Sequence, residues 1–312
     1  MNVAAHLDVA PEVRAALDAR RPVVALETTI VTHGMPYPQS IETARSVQAI
    51  VRAGGAIPAT IAVIGGRIRV GIDDAELDRL ATTQNGGVMK LSRADLPYAV
   101  AAGRDGATTV AATMICAHLA GIAVFCTGGI GGVHRGAEST YDVSADLEEL
   151  ARTPVTVVCA GAKALLDLPK TLELLETLGV PVIGYRTDEF PAFWSRSSGL
   201  RVPLRCDSAE EIAQVARAKS DLGLDGGVLV TNPIPAEAEI PAANIAGHVE
   251  SAVSEAAGRG VSGKDVTPYI LDRINQTTTR RSLAANVALI ESNARLAAEI
   301  AAALSSGRGI LP

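Results

Sequence analysis

Lys163 is the residue whose surroundings most clearly suggest chemistry. It ends an almost wholly apolar run, Val155 to Ala162, where an ammonium group is costly to desolvate unless it is paired or neutral. A lysine becomes a nucleophile when it is neutral, which needs a pKa of about 7 instead of about 10.4, and burial can supply such a shift. Alternatively, Lys163 is the first exposed residue of a helix running to about Leu178, with Lys170 as a comparable surface neighbour.

Glu27 is a candidate acid. It ends an apolar strand and should be partly buried, and burial without a paired cation would raise its pKa. A carboxyl group with a raised pKa can donate a proton at neutral pH. A salt bridge to Arg21 or Lys90 is the alternative for Glu27. Lys90 itself could contact a phosphate or carboxylate, or could be an ordinary charge on an edge strand.

Two aspartates, Asp142 and Asp146, precede Lys163 by about 20 residues. Ser144, between them, is expected to cap a helix that begins near Ala145. The oxygens of Asp142 suit Mg²⁺ or Mn²⁺ bound largely through water. The alternative is that both aspartates only complement the dipole at a helix start.

A glycine-rich loop, Thr127 to Gly136, opens immediately after a buried strand. Four glycines in five positions let backbone amides approach an anion or a flat ligand closely. The loop does not complete the dinucleotide fingerprint, because His134 takes the third glycine position, and no Walker lysine follows. A substrate loop is favoured over a structural turn. A lysine, carboxylates and this loop together suggest a sugar or carbonyl substrate attacked by an amine.

These residues follow strands in a chain that alternates short apolar strands with amphipathic helices. The alternation predicts an α/β fold with a mixed, mostly parallel central sheet, including a hairpin at Gly65 and Gly66. Residues 1–312 are predicted to form a single domain with an N-terminal extension over 1–20. Residues 240–312 are predicted to be mainly helical, with Ser262 capping a helix. Ligands of open α/β sheets bind beyond the carboxyl ends of strands, where the candidate residues lie.

Composition excludes several functional classes. The net charge of -6 and the scattered cysteines argue against a nucleic-acid polymer as partner and against disulfides or zinc. The charged N-terminus lacks the form of a secretory signal, so we expect a cytoplasmic protein. The uncharged stretch from Gly106 to Val133 is long enough to raise a membrane span, but its glycines and threonines favour a buried helix, a turn at Gly121 and a buried strand.

Six segments in matching order carry a resemblance to a known family. They are A-L-E-T-T-I-V-T-H-G-M-P-Y-P, C-T-G-G-I-G-G-V-H-R-G, D-V-S-A-D-L, C-A-G-A-K-A-L-L-D-L-P-K-T-L-E, G-Y-R-T-D-E-F-P-A-F and T-N-P-I-P. Together they resemble the pseudouridine-5'-phosphate glycosidases, the indigoidine synthase A-like family. The resemblance implies a three-layer α/β/α fold, a homotrimer, one Mn²⁺ per subunit, and reversible cleavage of the C–C glycosidic bond of pseudouridine 5'-phosphate to uracil and ribose 5-phosphate.

The resemblance also implies roles for individual residues. Lys163 falls on the family's nucleophile, Glu27 on its acid and Asp142 on its metal ligand. We further expect Asp146 to orient Lys163 or to shuttle its proton. Positions that resemble substrate contacts are Lys90, Val110 through its backbone, His134, Ser144, Ala145, Asp146 and Asn286. Two alternatives remain at this point: a Schiff-base sugar-phosphate aldolase, and a non-catalytic nucleotide-sensing module.

Overall fold

The structure is a computed structural model that describes residues 3–83, 87–261 and 263–307. Its strands are β1 (Leu7–Val9), β2 (Val23–Leu26), β3 (Ile57–Ile64), β4 (Arg67–Val70), β5 (Met89–Leu91), β6 (Gly106–Thr108), β7 (Val124–Cys126), β8 (Thr156–Cys159), β9 (Val182–Tyr185), β10 (Leu204–Cys206) and β11 (Val228–Thr231). Its α-helices are α1 (Pro11–Asp18), α2 (Gln39–Ala53), α3 (Asp74–Thr82), α4 (Leu96–Ala101), α5 (Val110–Ala120), α6 (Ala137–Thr140), α7 (Ala145–Arg152), α8 (Leu168–Thr177), α9 (Ala209–Asp221), α10 (Ala242–Gly258), α11 (Val266–Thr277) and α12 (Arg281–Ser306).

The strands form one mixed, mostly parallel sheet, as the sequence predicts. Its main order is β1-β4-β3-β2-β7-β8-β11-β9-β10, and β6 joins β5 to β3. Only the pairs β3–β4 and β3–β6 are antiparallel in the described part of the sheet. The β3–β4 hairpin turns at Gly65 and Gly66, whose φ angles of 56° and 77° suit glycine. The predicted hairpin is therefore confirmed.

Helices cover both faces of the sheet in a three-layer α/β/α arrangement. On one face α12 lies against β2, β7 and β8 and packs on α2 and α9. On the other face α5 contacts β2, β3 and β7 and packs on α7. The main apolar core runs from Val13 to Ala301 and contains Trp194, Phe125 and Phe190. The predicted layers are present, and both long faces of the sheet are covered.

The uncharged stretch from Gly106 to Val133 divides into elements, as its glycines and threonines indicate. β6 leads into α5, whose N-cap Thr109 accepts a hydrogen bond from the amide of Ala112. Gly121 ends α5 in the left-handed region with a φ of 85°, and the buried strand β7 follows. None of the helices described between residues 3 and 307 is both long and apolar enough to cross a bilayer.

The structure differs from the sequence interpretation at one helix start. α8 begins at Leu168, so Lys163 is a loop residue and not the first residue of a helix. The side chain of Asp167 accepts a hydrogen bond from the amide of Lys170, and Pro169 occupies the first turn, where its missing N–H is harmless. The C-terminal region is helical in α10, α11 and α12 as predicted. Ser262, the predicted cap, lies outside the described residues.

Candidate active site

Three neighbouring parallel strands place the candidate catalytic groups at one edge of the sheet. β7 lies between β2 and β8, with Leu26 paired to Cys126 and Cys126 paired to Val158. Glu27 directly follows β2, Thr127 directly follows β7, and Lys163 comes four residues after β8 ends. The carboxyl ends of parallel strands share an edge, so residues about 100 positions apart become neighbours.

An open cleft at this edge holds several predicted site residues. It contains about 570 Å³ of empty space, including space open to solvent, which is within the range of small-molecule sites. Glu27, Lys90, Lys163 and Asn286 line it, with Thr29, His33, Thr127 and a partly apolar wall that includes Phe193, Pro268 and Leu271. The structure thus brings an amine, a carboxyl group and a second lysine together.

The Glu27 carboxyl group is held by hydroxyl groups and not by a cation. Thr29 donates a hydrogen bond to Oε2 and Thr127 donates one to Oε1. Within residues 3–83, 87–261 and 263–307, no salt bridge involves Glu27, so the proposed pairing with Arg21 or Lys90 is not seen. Burial raises the pKa of Glu27, although the charge of Lys163 and the two threonines act in the opposite direction. The carboxyl group is therefore poised to hold a proton.

Backbone hydrogen bonds fix the loop that carries Lys163 against the glycine-rich loop. The amide of Lys163 donates to the carbonyl of Ile130 at 3.1 Å, and the amide of Ile130 donates to Gly161 at 3.1 Å. Gly161 has a φ of 87°, and a Cβ atom there would lie 2.1 Å from the carbonyl oxygen of Pro191. Only glycine fits that position, and the backbone that leads to Lys163 is thereby held in place.

Asp146 is a buried carboxylate that holds two backbone segments together. Its Oδ1 accepts from the amide of Ala111 at 2.9 Å, and its Oδ2 accepts from the amide of Gly131 at 2.8 Å. Ser144 caps α7, as predicted, by accepting from the amide of Asp146 at 3.2 Å. Asp146 makes no hydrogen bond to Lys163 among the described residues. Its negative charge acts to raise the pKa of both Glu27 and Lys90. It joins the start of α5 to the glycine-rich loop.

Lys90 enters the cleft from β5, which pairs only with β6 in the described sheet. Its Nζ donates to the carbonyl of Lys264 at 2.9 Å, and Nζ of Lys264 donates to the carbonyl of Lys90 at 3.3 Å. Desolvation and the charge of Lys163 lower the pKa of Lys90 to about 8, against the influence of Asp146, Glu27 and Asp265. Lys90 is thus not an ordinary solvated edge charge, and it forms no ion pair with a residue that the structure describes.

His134 and Asp142 form a second group on the glycine-rich side of the site. The amide of His134 donates to the carbonyl of Asp142 at 3.0 Å, and Nδ1 of His134 lies 3.8 Å from Oδ2 of Asp142. Burial lowers the pKa of His134, opposed by Asp142 and reinforced by Lys163 and Lys90. The described residues contain no cluster of three His, Cys, Asp or Glu side chains around a metal position. Any ion at Asp142 would take most of its ligands from water.

The remaining residues that are predicted to contact the substrate differ in whether they line the cleft. Asn286 lines the cleft, and its Oδ1 accepts from Nε1 of Trp194 at 2.6 Å. Val110 is buried at the first position of α5, where an amide has no intrahelical partner. The residues that line the cleft, as far as the structure describes them, do not include Val110, His134, Asp142, Ser144, Ala145 and Asp146. These six lie at the start of α5, at the start of α7, and in or beside the glycine-rich loop.

Several residues of the site are not predicted from the sequence. Thr29 and Thr127 bind Glu27, and His33 lines the cleft. The fully buried Asn293 donates from Nδ2 to the carbonyl of Thr127 at 2.9 Å and accepts at Oδ1 from Asn232 at 3.1 Å. The polar positions in E-T-T-I-V-T-H-G after β2 are a usable signal for Thr29 and His33. Nothing in the pattern of α12 marks Asn293.

Comparisons with known proteins identify the family of the chain. Residues 12–303 match the family described as indigoidine synthase A like protein. The chain is 64% identical over 306 residues to a pseudouridine-5'-phosphate glycosidase of Methylobacterium nodulans, covering 98% of this chain and 90% of the relative. It is 65% identical over 296 residues to one of Solibacter usitatus, covering 95% and 98%.

Solved structures share the fold over almost the whole chain. The prealnumycin C-glycosynthase AlnA, in complex with ribulose 5-phosphate, superposes with a TM-score of 0.89 at 41% identity, covering 96% of this chain and 97% of that one. An indigoidine synthase A-like protein of Thermotoga maritima gives a TM-score of 0.87 at 38% identity with the same coverage. The family resemblance in the motifs is confirmed: this chain belongs to the indigoidine synthase A-like family.

Proposed function

We propose that this protein is a pseudouridine-5'-phosphate glycosidase that reversibly cleaves the C–C glycosidic bond of pseudouridine 5'-phosphate to uracil and ribose 5-phosphate. The observation that carries the proposal is the shared cleft of Lys163 and Glu27, an amine beside a carboxyl group whose pKa is raised. Relatives of this name at about two-thirds identity, and a neighbour that binds a sugar phosphate, support it.

The carbon leaving group explains why the site needs an amine. An O- or N-glycosidase can protonate a heteroatom leaving group between two carboxylates. Here carbon 5 of uracil is the leaving atom, and it cannot depart in that way. A covalent route through a nucleophile divides the difficult step into two easier ones.

We assign the proton transfer that opens the sugar to Glu27 and the covalent step to Lys163. Glu27 protonates the ribose ring oxygen, and the bond between that oxygen and carbon 1 breaks. The lone pair of the Lys163 amine then adds at carbon 1, and a proton from the added nitrogen passes to carbon 5 of uracil as the bond between carbon 1 and carbon 5 breaks. The nitrogen forms an imine with carbon 1, and water hydrolyses this imine to ribose 5-phosphate and the free lysine. Thr29 and Thr127 aim the carboxyl group because they hold both of its oxygens.

Asp146 supports the amine, either by orienting it or by passing its proton. The support for orientation is that Asp146 ties Gly131 to the start of α5, and the carbonyl of Ile130, the residue before Gly131, accepts a hydrogen bond from the amide of Lys163. Substrate contacts are assigned to Lys90, the backbone of Val110, His134, the segment from Ser144 to Asp146, and Asn286. The backbone amide of Val110 stands at the first position of α5, where it has no intrahelical partner, and such an amide suits an anionic or carbonyl oxygen.

We also propose that Asp142 binds Mn²⁺ together with water. Its carboxylate oxygens are of the ligand type that Mn²⁺ prefers. A bound Mn²⁺ would supply positive charge that orders water and the phosphate side of the site. The assembly proposed is a cytoplasmic homotrimer, for which light scattering should give three times the chain mass of 32.1 kDa.

Uracil release tests the proposed function against its rivals. Purified protein incubated with pseudouridine 5'-phosphate, with and without Mn²⁺, should form uracil and ribose 5-phosphate in equal amounts. A Schiff-base aldolase would instead join the sugar phosphate to a carbonyl acceptor without metal. A nucleotide-sensing module would bind the nucleotide and release nothing. Absence of uracil in the presence of Mn²⁺ would refute the proposal.

Replacing Asp142 with alanine should weaken Mn²⁺ binding by at least about 10-fold, because the variant loses the charged ligand. Electron paramagnetic resonance of free Mn²⁺ during titration measures the affinity directly. Asp188→Ala is the matched control, since Asp188 is an exposed aspartate that pairs with Arg205. Equal Mn²⁺ affinity in D142A and wild type would make Asp142 structural.

Lys90 should make the binding of a sugar phosphate depend on pH. Its pKa of about 8 means that the ammonium is present below that pH and is lost as the pH rises through it. The affinity for ribitol 5-phosphate, which has no carbonyl group and stays dianionic above about pH 7, should therefore fall between pH 7 and pH 9. Calorimetry measures the affinity.

Lys90→Met separates this effect from other titrating groups. The variant should bind ribitol 5-phosphate about 10-fold or more weakly at pH 7, as expected for loss of a charge-assisted hydrogen bond, and with a flat pH profile. Ribitol without the phosphate should show no difference between the two proteins. An unchanged decline from pH 7 to pH 9 in K90M would assign the titration to another group.

A further inference from the structure

His33 lines the cleft with Glu27 and Lys163 but takes no part in the steps above. It lies on a π-helical turn, Ile30–Gly34, that closely follows β2. Such turns are rare and are often found at functional sites. The turn packs against α11, whose N-terminal part also lines the cleft. His33 thus lies on a turn that, together with α11, shapes the site.

Thr32 holds one nitrogen of His33. Oγ1 of Thr32 lies 2.5 Å from Nδ1 of His33 and 3.3 Å from the carbonyl oxygen of Thr28, to which it can donate its one hydrogen. We assign the hydrogen to that carbonyl, so that Oγ1 accepts from an N–H at Nδ1 and the lone pair of the imidazole lies on Nε2.

His33 lines the cleft, and its Nε2 makes no hydrogen bond to a residue within the described ranges. Because Nε2 is not among the buried side-chain atoms without a partner in those ranges, it retains some exposure. Burial and the charge of Lys90 lower the pKa of His33, while Asp265 acts in the opposite direction. The imidazole is therefore neutral at physiological pH and presents an acceptor to the ligand.

The cleft wall around His33 suits a flat ring better than a phosphate. The same turn contributes Ile30 and Met35 follows it, and α11 contributes Pro268 and Leu271. A uracil ring has apolar faces and N–H groups at its edge. Nε2 of His33, in an otherwise apolar wall, can accept a hydrogen bond from an N–H at the edge of the ring. Such an N–H needs a partner once it is buried.

We propose that His33 is a catalytic base that removes the proton from N1 of the uracil ring as the ribose ring opens; this inference rests on the proposed function. The N1–H bond gives its electron pair to N1=C6, the C6=C5 pair forms C5=C1', and the C1'–O4' pair goes to O4'. Nε2 takes the N1 proton, and Glu27 supplies the proton to O4'. Carbon 1' becomes an electrophile for Lys163.

The proton that His33 removes returns to N1 later in the reaction, so the uracil ring neither gains nor loses a proton at N1. When Lys163 adds at carbon 1', the electron pair of C5=C1' returns to the ring and restores N1 as a basic nitrogen. His33 then gives the proton back to N1. The imidazole thus acts as base and acid in succession, and no external oxidant or reductant is needed.

His33→Gln tests this assignment, because glutamine can accept a hydrogen bond but cannot take the proton. With pseudouridine 5'-phosphate, kcat should fall by about 10²- to 10⁴-fold with a smaller change in KM. N1-methylpseudouridine 5'-phosphate lacks the proton in question, so wild type and H33Q should process it at rates within about 3-fold of each other. The 3-methyl isomer keeps N1–H and should show the full difference.

Trapping of ribose 5-phosphate on Lys163 separates this inference from the proposed function. Borohydride should label H33Q as completely as wild type, since imine formation from the free sugar phosphate involves no uracil ring. His118→Gln, at an exposed position of α5, should match wild type in every assay. The inference is overturned if H33Q keeps its kcat, if the N1-methyl substrate shows the same loss as the parent, or if H33Q is not labelled while wild type is. No label in wild type would instead refute the lysine imine.

Discussion

Replacing Lys163 with methionine should reduce uracil formation from pseudouridine 5'-phosphate by at least about 10⁴-fold, as expected when a covalent nucleophile is removed. Methionine keeps the length and the apolar stem of the side chain, so the loop packing against Ile130 should survive. Arginine at this position should be equally inactive, because a guanidinium stays charged and is not a nucleophile. Continuous measurement of uracil by absorbance gives both rates.

Lys170→Met is the matched control for this prediction. Lys170 lies on the exposed side of α8 and pairs with Asp167 and Glu138, away from the cleft residues that the structure describes. Its replacement should leave kcat within about 2-fold of wild type, as for most surface changes. A K163M protein that keeps more than about one hundredth of the activity would exclude Lys163 as the nucleophile.

Glu27→Gln should lower kcat by about 10²- to 10⁴-fold while ligand binding is preserved. Glutamine has the shape of a protonated carboxyl group, which is the form that burial favours here. Thr127 and Thr29 can still hold one oxygen, so the affinity for ribitol 5-phosphate should stay within about 3-fold. Rate and affinity are measured on the same preparation.

The raised pKa of Glu27 predicts the direction in which kcat of the wild type changes with pH. Because the pKa of Glu27 is raised, the acid form persists above the usual range, and kcat should decline as the pH rises through the raised value. Glu173→Gln, an exposed acid on α8, should keep both kcat and the profile. Unchanged turnover in E27Q would remove Glu27 from the mechanism.

The sequence predicts the parts of the site that depend on strand ends. Glu27 and Lys163 each follow an apolar run, and such runs identify β2 and β8 without knowledge of the partners. Parallel pairing then brings their ends together. Ser144 is likewise predicted as the cap of α7, because capping depends on local residue types.

Other features depend on contacts between distant residues and are not predicted. The bond from Thr127 to Glu27 spans 100 positions, and the bond from Asn293 to Thr127 spans 166. β6 has only three residues and forms because β3 and β5 flank it. The alternative in which Lys163 is the first residue of a helix is wrong, because Lys163 belongs to a loop that pairs with the glycine-rich segment before Asp167 caps α8.

Borohydride reduction in the presence of ribose 5-phosphate most directly tests the central claim, that the amine of Lys163 bonds to the opened pentose. Peptide mass spectrometry should find one ribityl phosphate addition on the peptide that contains Lys163, and none in K163M. A label on Lys170 or Lys90 instead, or a wild-type protein that remains unlabelled while it releases uracil, would contradict the lysine imine.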